Sequence, residues 1–174
     1  PTAIWHYAQG LAAVRQGRLN DARAHLLGLA KTSADPVWEQ AYIGPQHPLS
    51  GTLRIAERVL AGELAAARHD YPEALTALAQ GVALEDALAY FEPPVWHQPV
   101  RQTLGAVQLA AGQAAAAEAS YRQDLERFRD NGWSLLGLAQ SLRAQNRTVE
   151  AEAIEQRQRD AWTHADLKPA SSRM

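Results

Sequence analysis

One spacing recurs four times along this chain. A small residue is followed twelve positions later by alanine: Gly10 and Ala22, Gly62 and Ala74, Gly105 and Ala117, Ala139 and Ala151. Seven positions after each first member stands a residue that accepts left-handed backbone: Gly17, His69, Gly112 and Asn146. A left-handed residue ends one helix and turns the chain back into the next. The small pair then falls where the two helices cross, because small side chains let the axes approach closely. Four positions after the alanine, three of the stretches carry a bulky residue, Leu26, Leu78 or Tyr121, placed to plug the gap toward the next helix. Alanine, the best helix former, is about a fifth of the chain, and β-branched residues are scarce. Prolines and glycines cluster at Pro36–Gly51, at Pro93–Pro99 and at Asn131–Gly132, so helical stretches alternate with marked breaks.

These residues resemble the tetratricopeptide repeat (TPR), a unit of about 34 residues. Gly105 and Ala139 lie 34 apart, while Gly62 and Gly105 lie 43 apart and Gly10 and Gly62 lie 52 apart. The longer intervals read as one unit plus an inserted loop. The resemblance implies an all-α, right-handed superhelical array of about four helix pairs. Residues 1–174 form a single domain in this reading, with repeats near 3–34, 55–90, 98–131 and 132–163 and a tail over 164–174. Leu104, Gly105, Gly112, Ala117, Tyr121 and Leu125 make the third repeat the best match. The fourth carries Glu155 at a usually apolar position, which suits a last repeat facing water. The first two depart further, with His6, Gln9, Arg58 and Ala61 at usual apolar positions.

Helices are expected near 3–16, 20–31, 53–68, 72–90, 99–111, 114–128, 133–145 and 148–163. Pro72 and Pro99 suit first-turn positions, and Asp70 and Thr148 read as N-caps. A short helical turn is expected around Val37–Tyr42.

A finer resemblance rests on Trp5–Gly10, Leu84–Asp86, Tyr90–Trp96, Pro99–Arg101, Tyr121–Leu125, Asn131–Trp133, Ala161–Trp162 and Ala165–Asp166. It is to the C-terminal part of longer bacterial TPR proteins whose biochemical function is unassigned. It implies further repeats upstream and a periplasmic or exported setting, and it brings no catalytic residue. A first residue Pro1 rather than Met agrees with a piece of a longer chain.

The chemistry excluded is broad. There is no cysteine, hence no disulfide, thiolate zinc site or thiol nucleophile. A net charge of −2, with acidic residues interleaved among Arg122, Arg127 and Arg129, disfavours nucleic acid. No apolar run approaches the roughly 20 residues that span a bilayer. The six histidines are scattered without a metal-ligand spacing, and no phosphate loop or nucleophile elbow occurs. Catalytic, cofactor and metal residues are therefore expected to be none, and an enzyme is disfavoured. The Tyr90–Pro99 linker holds Glu92, Trp96 and His97, read as structural, with Trp96 buried between the second and third repeats. Glu155 and Arg159 are spaced as a helical ion pair. The tail is expected to fold back in extended form, with Leu167 against Trp162.

Binding surface is the remaining question. In stacked TPR units the first helix of each pair lines a concave groove. The exposed groove positions expected here are Tyr7, Leu11, Arg15, Val59, Glu63, Gln102, Ala106, Leu109, Trp133, Leu136, Gln140 and Arg143. The set lacks the Lys/Asn/Arg combination with which clamp-type TPR domains hold a C-terminal carboxylate. It fits a peptide or helix of a protein partner. A C-terminal cap on upstream repeats of the same chain, or an accessory region of an enzyme or metal-handling protein, are the alternatives.

Overall fold

The computed structural model describes residues 2–166 and 169–173. Among them are eight α-helices: α1 (Thr2–Arg15), α2 (Leu19–Ser33), α3 (Leu49–Ala67), α4 (Tyr71–Asp86), α5 (Val100–Ala110), α6 (Ala114–Arg127), α7 (Gly132–Ala144) and α8 (Thr148–Ala161). Between α2 and α3 lie a 3₁₀ turn, Pro36–Glu39, and two short antiparallel strands, β1 (Tyr42–Ile43) and β2 (His47–Pro48). The chain divides into two compact units, Pro1–Val100 and Arg101–Met174.

All four turns within pairs are built alike. Gly17, His69, Gly112 and Asn146 have φ of 69°, 59°, 75° and 61°. The amide of each next residue reaches back five positions: Arg18 to the Ala13 carbonyl, Asp70 to Ala65, Gln113 to Gln108 and Arg147 to Leu142, at 2.8–3.0 Å. The left-handed residue itself bonds three positions back, at 2.9–3.0 Å. This is the Schellman closure of a helix C-terminus. The alanine of each spaced pair, Ala22, Ala74, Ala117 or Ala151, then makes the first amide bond of the second helix, to the residue after the turn. The twelve-residue spacing is therefore the length of one crossing, turn and return, and all four alanines are buried.

In the first unit the core gathers on α3, which buries Leu53, Ile55, Ala56, Val59, Leu60 and Leu64; Leu29, Leu78 and α1 residues Ala3, Tyr7, Ala13 and Val14 are buried too. In the second unit Ala117, Tyr121, Leu138, Leu142 and Ala151 form one cluster, with Leu109, Leu125 and Ile154 against it. Tyr121 fits because Gly105 and Gly137 flank it. A Cβ at either position would come within 2.5 Å of the ring.

Several local expectations are corrected. Helix α3 starts at Leu49, because the strand pair delivers Pro48 as its N-cap and the Leu49 amide donates to the Ala41 carbonyl at 2.8 Å. The turn near Val37 ends at Glu39, and the strands follow it. Thr148 does not cap α8; it is already helical, and Arg147 of the tight turn occupies the cap position. Asp70 does cap α4, accepting the Glu73 amide, and Asn131 caps α7 through the Trp133 and Ser134 amides. Glu155 pairs with Arg143 of α7, at 2.6 and 2.9 Å, rather than with Arg159, which turns to Gln156.

Candidate functional site

Each unit offers the face made by the first helices of its pairs. In the first unit that face carries a buried polar group. Glu63 of α3, 2% exposed, accepts from Nη1 and Nη2 of Arg15, each at 2.9 Å, joining α1 to α3. Tyr7 lies beside the pair. Burial pushes its phenol well above the ordinary tyrosine range, Glu63 adds to the rise, and Arg15 opposes it. The linker after α4 returns over this group. Trp96, 4% exposed, stands edge-on to Tyr7 with ring centroids 5.4 Å apart, and His97 lies 6.1 Å from the same ring. Shielding holds the His97 imidazole below the ordinary histidine range, so it is neutral at neutral pH. The Val100 amide donates to Glu85 Oε2 at 2.8 Å and closes the base of the linker loop. Farther out on the loop, Phe91 packs on His47 of β2, with centroids 5.3 Å apart.

In the second unit the corresponding face, on α5 and α7, receives residues 169–173. Ser172 is fully buried. Its hydroxyl donates to the Gln102 carbonyl at 2.9 Å, which leaves the Tyr121 hydroxyl, 2.6 Å away, as the donor to Ser172. Burial pushes the Tyr121 phenol up to about 12, against the pull of Ser172 and Arg173, so it keeps the proton this bond needs. Gln140 Nε2 donates to the Ala170 carbonyl at 2.8 Å. Beneath lies Asp124, buried, accepting from the Ser134 hydroxyl and from Gln102 Nε2. Desolvation raises its pKa above the ordinary aspartate value, with the two hydrogen bonds opposing.

The twelve positions expected on an exposed groove separate. Tyr7, Val59, Glu63, Gln102 and Ala106 are buried, since the linker or neighbouring helices cover them. Leu11, Leu109, Trp133, Leu136 and Gln140 are half-buried. Arg15 and Arg143 are exposed but held in ion pairs, Arg15 to Glu63 and Arg143 to Glu155 of α8. Trp96 is buried as expected, but its ring partner is Tyr7 of the first repeat. The expected docking of Leu167 lies outside the described residues. The docked residues after it are not extended: the chain bends, and the Arg173 amide bonds the Ser171 hydroxyl at 3.3 Å. Trp162 meets Trp133 edge-on, with centroids 5.2 Å apart. The sequence carries no signal for the bonds that Ser172 and Glu85 make, because Ser172 reaches Gln102 across 70 residues and Glu85 reaches Val100 across a loop.

Among the described residues, no group of three or more His, Cys, Asp or Glu is placed to hold a metal ion. No helix among them is long and apolar enough to cross a membrane.

No protein-family model matches the sequence, and no curated protein matches it. Among solved structures the fold is similar to that of MamA, a protein of TPR type. The two align over 97% of this chain and 98% of the other, with a TM-score of 0.54 and 11% identity. At that identity the likeness shows the fold alone. The chain has an all-α helical-repeat fold of the TPR type, in the α–α superhelix class.

Proposed function

We propose that this chain is a non-enzymatic protein-interaction scaffold whose first-helix faces take up a peptide or helix of a partner protein. The observation that carries this reading is that both faces are already occupied by irregular segments of the same chain. Trp96 and His97 cover the first, and residues 169–173 the second. The first holds its segment through ring contacts and the second through side chain to main chain bonds, and surfaces of this kind are suited to hold other segments. The exposed Ile4, Trp5 and Leu27 of the first pair suit stacking by a further helix pair, as the finer resemblance implies. The second reading is structural: the segments only stabilise the repeats, which the complete burial of Ser172 favours.

Site-specific photo-crosslinking separates the two. A photoreactive side chain at Leu136, on α7, is compared with one at Val149, which is 81% exposed on α8. The scaffold reading expects a discrete protein adduct from Leu136 and none from Val149 in the source cell. Absence of an adduct from Leu136, with the protein folded and abundant, leaves the structural reading.

A further inference from the structure

Residues 169–173 have no regular secondary structure, and the contacts that hold them amount to a small recognition code. Gln140 donates to the Ala170 carbonyl, a main-chain atom that any residue could present. Two residues on, the Ser172 hydroxyl donates to one group, the Gln102 carbonyl, and accepts from another, Tyr121. Alanine could satisfy neither. A larger side chain would not fit, because Ser172 has no exposed surface. The receptor side is preorganised. Tyr121 is fixed between Gly105 and Gly137, and Gln102 is tied by its side chain to Asp124.

We propose that the α5–α7 face is a receptor for a short partner segment presenting a backbone carbonyl and, two residues on, a serine. Residues 169–173 are then its built-in competitor. The proposal rests on the scaffold reading for the second unit and gives it a ligand chemistry. A segment tethered to its own receptor competes at an effective concentration in the millimolar range. The apparent affinity for a partner falls by the fraction of receptors left open. The face thus answers only to segments that match the code well or arrive at high local concentration.

The test is a fluorescence-anisotropy titration with a capped, labelled pentapeptide, Pro-Ala-Ser-Ser-Arg. It is run against the wild-type chain and against Ser172→Glu, whose carboxylate cannot be buried at Tyr121 and so empties the face. Ser172→Glu is expected to bind the peptide at least tenfold more tightly than wild type does. A peptide with its second serine changed to alanine is expected to lose at least tenfold. Adding Gln140→Ala to Ser172→Glu is expected to cost severalfold. A folded Ser172→Glu chain that fails to bind, or that binds the alanine peptide equally well, overturns the proposal. If Ser172→Glu does not fold, the chain lacking residues 169–174 carries the same comparison. Crosslinks from Leu136 together with no peptide binding would sink this proposal and leave the scaffold reading standing.

Discussion

Ala117 and Asp124 sit two helical turns apart on α6 and show how little freedom the second unit leaves its side chains. Ala117 is fully buried within the Tyr121 cluster, where the neighbouring crossing leaves no room for growth. Ala117→Leu should destabilise the protein by about 1–3 kcal/mol through overpacking, read from chemical denaturation. An unchanged midpoint would mean that the register assigned to α5 and α6 is wrong. Asp124 poses an electrostatic question instead. Desolvation holds its pKa above the ordinary 3.8, so the folded protein retains a proton that the unfolded chain releases. The stability this adds is fully present below 3.8 and is lost as pH rises through the raised, folded-state value. Glu150 and Glu155, held down by Arg147 and Arg143, carry the opposite sign, so only a difference isolates Asp124. The melting temperature of Asp124→Asn, minus that of wild type, should therefore climb from acid to neutral pH. A flat or falling difference would show that the Ser134 and Gln102 bonds outweigh burial.

At the scale of elements, the four turns explain why helix boundaries could be read from residues alone. Left-handed backbone is accepted by few residue types, so Gly17, Gly112 and Asn146 announce themselves, and the shared spacing brings in His69. Gly112 isolates the backbone effect, since a Cβ there would meet nothing within 4 Å. Gly112→Ala should nonetheless cost about 1 kcal/mol, the left-handed penalty less the entropy removed from the unfolded chain. The reverse change, His69→Gly, should stabilise by several tenths of a kcal/mol on the same reasoning. Equal stability of both variants with wild type would show that the turns relax out of the left-handed region. Element ends set by other means were harder to read. Helix α3 starts early because of a strand pair that two-residue segments cannot announce, and α8 has no side-chain cap at all.

Over the whole molecule, the repeat pattern was legible while what covers the first-helix faces was not. A period survives in sequence because each pair repeats the same crossing. The segments lying on the faces make single, long-range contacts, such as Ser172 with Gln102 across 70 residues, that no local pattern encodes. Hence Tyr7, Val59, Glu63, Gln102 and Ala106 occupy first-helix positions, as the repeat dictates, yet are buried. Trp96 measures what such a contact contributes. Trp96→Ala should lower stability by about 3–5 kcal/mol, with amide exchange accelerating first in α1 and α3. Loss of only a few tenths, with exchange in α1 unchanged, would make the linker a passive connection. The contrast between turns and linkers also dictates where foreign sequence can be spliced in. One extra residue beside Gly17 or Asn146 would rotate the following helix by about 100° and turn its apolar stripe to water. The exposed Pro45–Gln46 tip lies outside every such crossing. An epitope or reporter grafted there would ride on the repeat array without disturbing its phase, much as the chain's own inserts do.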